Sequence, residues 1–124
     1  MKTKVLAIDD SRTIRNLLAA TLEEAGFEYV SAVDGREGVD MYEDVAPDVV
    51  ITDINMPNLD GLGLLRAIRA HPPTQGAAFI MLTGRADREL VARAVQFGVN
   101  NYLVKPFTVA QLKEKLEGVF GPLT

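Results

Sequence analysis

Short apolar runs punctuate this chain, and between them apolar residues return at every third or fourth position. The runs Val5–Ile8, Tyr29–Val33, Val49–Thr52, Ala78–Leu82 and Asn101–Val104 have the length of strands, and several are apolar throughout. Continuous apolarity, in place of alternation, marks strands covered on both faces, as in a parallel sheet between helices. After the first run, Ile14, Leu17, Leu18, Thr21, Leu22 and Ala25 fall on one helical stripe. Gly26 follows where helices commonly end in left-handed backbone. Further helical segments are Arg36–Asp44, closed ahead of Pro47; Leu62–Ala70, ended by His71-Pro72-Pro73; and Asp87–Phe97, ended by Gly98. A fifth helix opens at Thr108, whose spacing to Gln111 is that of a capping box. Its buried stripe is Leu112, Leu116, Val119 and Phe120.

Strand and helix alternate five times. That order predicts a doubly wound α/β fold with a parallel five-stranded sheet, five helices and right-handed crossovers. In such a sheet a ligand binds beyond the carboxyl ends of the strands, where the strand order reverses.

Composition narrows the picture. With 124 residues the chain fits one domain, 1–124, able to bury roughly two thirds of its unfolded surface without a disulfide or a structural metal. It has no cysteine, which removes thiol chemistry and zinc fingers and fits a reducing cytoplasm. The net charge of −4 and the lack of a basic run argue against nucleic-acid binding. No apolar run approaches the roughly 20 residues of a membrane span, so no membrane attachment is expected.

The chemistry lies at the strand ends. The first strand ends on Asp9 and Asp10, the third on Asp53, the fourth on Thr83 and the fifth on Lys105. A parallel sheet gathers these onto one edge. Two like charges about 4 Å apart repel by about 4 kcal/mol at an effective dielectric near 20. Three carboxylates with one ammonium therefore call for a cation or a proton. Mg²⁺ suits a site of a few carboxylates with waters and phosphate oxygens. An ionised aspartate is also a nucleophile able to form an aspartyl phosphate, and Thr83 and Lys105 can donate to phosphoryl oxygens. Read alone, Asp10 is equally a helix cap and Tyr102 a half-buried core residue.

The segments IDDS, ITDINMPNLDG, MLTG and NNYLVKPF together resemble the receiver domain of two-component response regulators, over essentially the whole chain. The opening DDSRTIR is most similar to the stand-alone, CheY-like chemotaxis type. The resemblance implies a flavodoxin-like sheet of order 2-1-3-4-5. It implies Asp53 as phospho-acceptor from a histidine kinase, and Mg²⁺ as cofactor held by Asp10, by Asp9 mostly through water, by Asp53 and by the backbone carbonyl of Asn55. Thr83 and Lys105 would bind the phosphoryl group, Tyr102 would be the switch aromatic alongside Thr83, and the bond before Pro106 would be cis. The implied partners are a histidine kinase, a target such as a flagellar motor switch component, and a phosphatase. A cytoplasmic monomer without enzymatic turnover beyond self-phosphorylation and autodephosphorylation is expected.

Other readings compete. A haloacid-dehalogenase-type phosphatase also uses an aspartate nucleophile, but the acid it needs two residues on is here Asn55. A flavodoxin-like FMN carrier needs a hydroxyl- and glycine-rich loop where DDSRTIR places carboxylates. No output domain is expected after the fifth helix, so the output is either a protein contact or a phosphorelay transfer. The output surface would draw on Arg88, Val91, Tyr102, Val109 and Lys113. Pro57 and Gly61 read as turn punctuation, His71 as a solvated loop residue, and Arg85 as a side chain able to reach over the site.

Overall fold

A computed structural model describes residues 4–54, 60–70, 78–84, 88–96, 98–105 and 107–120. The elements run β1 (Lys4–Ile8), α1 (Arg12–Glu24), β2 (Glu28–Ala32), α2 (Gly35–Val45), β3 (Val49–Asp53), α3 (Gly61–Arg69), β4 (Ala78–Thr83), α4 (Arg88–Gln96), β5 (Asn101–Val104) and α5 (Val109–Phe120). All five expected strands are present, and each pairs parallel with its neighbours in the order β2-β1-β3-β4-β5.

Strand alternation divides the core in two. Leu6, Ile8, Val50, Phe79 and Met81 face one side, with Tyr42 of α2, Leu64, Leu65 and Ile68 of α3 and Ala94 of α4. Val5, Ala7, Val49, Ile51, Ile80, Leu82 and Leu103 face the other, with Leu18 and Leu22 of α1 and Leu112 and Leu116 of α5. The predicted stripes of α1 and α5 thus pack where their period put them; the side chains of Val119 and Phe120 lie outside those described.

Local chemistry sets the helix starts. Ser11, Asp34 and Asp60 accept backbone N–H groups of Ile14, Glu37 and Gly63 at 3.4, 2.9 and 2.7 Å. At α5 the Thr108 hydroxyl accepts from Gln111 N–H at 3.1 Å while the Gln111 amide oxygen accepts from Thr108 N–H at 2.8 Å, closing the expected capping box. Gly26 follows α1 with a φ of +85°, as its position foretold. The α2 end departs from that pattern: Ala46 takes the left-handed conformation (φ 49°), a strained choice for a residue with a Cβ.

Gly61, expected as turn punctuation, is instead the first residue of α3. A Cβ there would collide with the backbone carbonyl of Asp53 and come within 2.8 Å of Met81 Sδ and 2.9 Å of Ile54 Cα. Only hydrogen fits, because α3 starts hard against the end of β3.

Candidate phosphoryl-acceptor site

β1 and β3 are neighbours in register, with Ile8 opposite Thr52, so Asp9 and Asp53 leave the sheet side by side. Asp9 is fully buried and Asp53 nearly so, while Asp10 is exposed. One carboxylate oxygen from each of the three lies within 4.8 Å of the others. Opposite ligands of a Mg²⁺ ion stand about 4.2 Å apart. The donor set is hard oxygen throughout, and the spacing fits such an ion with water completing its shell.

Asp9 is pinned at every polar atom. Its N–H donates to the Ala32 carbonyl at 3.2 Å and its carbonyl accepts from the Arg15 guanidinium at 2.8 Å. Oδ1 accepts the Ser11 N–H at 2.8 Å and Oδ2 accepts from Lys105 Nζ at 2.8 Å. The same ammonium donates to Asp53 Oδ2 at 3.0 Å. One cation therefore bridges two buried acids from different strands. Burial works against the Lys105 ammonium, but hydrogen bonds to Asp9 and Asp53, reinforced by their charges, outweigh it and hold its pKa above the usual lysine value. Three carboxylates against one ammonium still leave an excess of negative charge.

Thr83 ends β4 beside Asp53, whose ladder partner is Leu82. It is buried, and its hydroxyl has no hydrogen-bond partner among the described residues. A buried orphan hydroxyl costs about 1–3 kcal/mol, so its position asks for an acceptor supplied from outside the chain. Lys105 N–H donates to the Thr83 carbonyl at 2.6 Å, tying the two strand ends together.

The predicted site residues Asp9, Asp10, Asp53, Thr83 and Lys105 thus converge on the carboxyl edge. Asn55 and Pro106, like Pro57, His71 and Arg85, lie outside the described residues. Tyr102 sits on β5, opposite Met81, and is 42% exposed. With Thr83, Gly84, Arg88, Val91 and Val104 it lines a cavity of about 370 Å³. Of the residues expected at an output surface, Arg88, Val91 and Tyr102 line this cavity, and Val109 is exposed on α5. The ammonium of Lys113 lies 3.4 Å from Glu24 of α1. The α5 lysine beside Tyr102 is Lys115, whose Nζ stands 5.9 Å from the ring centroid. Sequence reasoning missed Lys115 and Arg15: the first depends on how α5 is rotated over β5, and a contact to a backbone carbonyl leaves no residue pattern.

Among the described residues no helix is long and apolar enough to cross a membrane. The response regulator receiver domain family matches residues 5–117 of this chain. A probable chemotaxis protein CheY of Rhizobium etli is 48% identical over 98% of this chain and 95% of its own. Among solved structures, the chemotaxis response regulator CheY4 of Vibrio cholerae superposes with a TM-score of 0.90 at 35% identity, covering 96% of this chain and 99% of its own. The receiver domain of a sensor histidine kinase from Pseudomonas aeruginosa, solved with a magnesium ion coordinated in its active-site cleft, gives 0.86 at 30% identity over 98% and 100%.

Proposed function

This chain belongs to the response regulator receiver domain family, and from that premise we propose that it is a phosphorylation-activated switch of a two-component pathway, with Asp53 as its phospho-acceptor. Membership sets aside the phosphatase and flavin-carrier readings, since CheY-like receivers are signalling switches and not enzymes in the ordinary sense. The observation that carries the assignment is the Asp53 carboxylate, which shares Lys105 with Asp9 and stands beside an unpartnered Thr83 hydroxyl.

In the proposed step an oxygen of the Asp53 carboxylate attacks the phosphorus of a phosphohistidine on the kinase. The new P–O bond forms as the P–N bond breaks, and the electron pair stays with the imidazole nitrogen, which takes up a proton. No general base is required, because the carboxylate is already ionised. Asp9, Asp10 and Asp53, with the carbonyl of Asn55, would hold Mg²⁺. When bound, that ion supplies positive charge against the phosphoryl oxygens. Lys105 supplies a second positive charge and orients the oxygen it already touches. Thr83 donates to a phosphoryl oxygen and so acquires the acceptor it lacks.

Thr83 moving toward that oxygen opens room in the cavity it shares with Tyr102, and the ring turns inward from its exposed position. The surface of α4, β5 and α5 changes shape with it. The chemotaxis relative supports a chemotaxis pathway; a flagellar motor switch component as target, a cytoplasmic location and a monomeric chain are part of the proposal. The test is intact-mass analysis after acetyl phosphate or phosphoramidate with Mg²⁺. Wild type gains one phosphoryl group and Asp53→Asn gains none; a stable phosphoryl adduct on Asp53→Asn overturns the assignment.

A further inference from the structure

We propose that Lys115 is a positioning residue for the switch: its ammonium holds the Tyr102 ring in the outward position and so sets how much of the unphosphorylated protein is already switched. The inference rests on the switch reading above and names what opposes it at rest.

The geometry is specific to one lysine. Lys113 and Lys115 are two residues apart on α5, about 200° around the helix. Lys113 reaches across to Glu24 of α1, and Lys115 turns to β5, where its Nζ lies 5.9 Å from the Tyr102 centroid. That is within the distance at which a cation is attracted to an aromatic face. Lys115 has no acidic partner among the described residues, so the ring is the group it meets.

The outward ring needs such a partner. Tyr102 is 42% exposed, yet a cavity of about 370 Å³, room enough for a phenol ring, opens beside it between Thr83, Val91 and Val104. Burial of the ring favours entry. Two things stand against it: Thr83, until it moves, and the contact with Lys115, which is made only while the ring stays out. A contact present in one state alone biases the population toward that state. Cation–π contacts at half-exposed sites correspond to about a two- to fivefold change in such a ratio.

The experiment follows the Tyr102 ring resonances by ¹³C NMR in the whole chain, with Mg²⁺, before and after beryllofluoride. Lys115→Gln removes the charge and Lys115→Arg keeps it. The resting Tyr102 resonance of Lys115→Gln moves toward the beryllofluoride position by a two- to fivefold larger inward fraction. Lys115→Arg stays at the wild-type position, and thermal stability of both changes little. A structural role would lower stability without moving the ring. A resting resonance in Lys115→Gln identical to wild type, while beryllofluoride still moves it, overturns this proposal and leaves the switch standing. A wild-type ring that ignores beryllofluoride overturns both.

Discussion

β3 and β5 lie in one sheet, separated by a single strand, and are built to opposite ends. Every residue of β3 is buried, and it is flanked on both sides by β1 and β4. β5 is an edge, bonded only to β4, with Tyr102 42% and Val104 39% exposed. Asp53, the proposed acceptor, ends the first strand, and Tyr102 sits in the second. Phosphoryl chemistry needs a carboxylate held still against its neighbours, and close packing on two faces supplies that. A responding group needs somewhere to go, which an edge strand beside a cavity supplies. Close packing and open space are therefore allotted to different strands, with β4 and its terminal Thr83 between them.

The sharpest way to break this contrast is to cut into both strands. Ile51→Ala in β3 removes a fully buried side chain and should cost about 2–5 kcal/mol of unfolding free energy. Val104→Ala in β5 should cost under about 1 kcal/mol. Urea titrations giving equal losses would show that the two strands are not differently built. Next comes the bridge that ties the acceptor edge together. Lys105→Met strips the partner from buried Asp9 and should cost about 2–3 kcal/mol, somewhat below a fully buried pair because Lys105 is partly exposed. Millimolar Mg²⁺ should restore part of the loss, and melting curves with and without the metal read it directly. The wild-type advantage over Lys105→Met should also depend on pH with a definite sign. The ammonium's pKa is raised in the fold, so its contribution is complete below the unfolded value of about 10.4 and disappears as pH rises through the higher folded value.

A smaller effect separates the two aspartates of β1. Mg²⁺ at tenfold over its Kd should stabilise wild type by about 1.4 kcal/mol, a shift of a few degrees in Tm. Asp10→Ala should reduce that shift more than Asp9→Ala, because both Asp9 oxygens already have protein donors while Asp10 is exposed. Identical shifts in wild type and Asp10→Ala would remove Asp10 from the metal site. Smallest is Ala46→Gly, ahead of β3, where left-handed backbone is imposed on a residue with a Cβ. Relief of that strain should raise stability by about 0.5–1 kcal/mol in thermal melts, and a loss would mean that the turn is not strained.

Much of this was legible in the chain because the signals were local or periodic. The strands showed as apolar runs, α1 and α5 as stripes, and the start of α5 as Thr108 with Gln111. The acids, Thr83 and Lys105 could be gathered on one edge because parallel pairing fixes which end of each strand they share. What escaped depended on angles between elements. Gly61 looked like a turn because nothing local says that α3 begins against the Asp53 carbonyl. Lys113 and Lys115 are indistinguishable by composition, and only the rotation of α5 over β5 decides that one meets Glu24 and the other Tyr102. Arg15 serves a backbone carbonyl, a role that no residue pattern encodes.

The Lys105–Asp9 bridge joins positions 96 residues apart in sequence. At roughly 5–20 residues per second of synthesis, Asp9 leaves the ribosome about 5–20 s before the lysine that neutralises it. During that interval the acids of β1 and β3 can pair their strands but have no ammonium between them. The bridge is among the longest-range contacts at this edge, and it cannot form until the segment carrying Lys105 has been made and β5 has docked. If Asp53 is the acceptor as proposed, competence to be phosphorylated would report on folding: a chain in which β5 has not docked has Asp53 but not the Lys105 bridge that positions it.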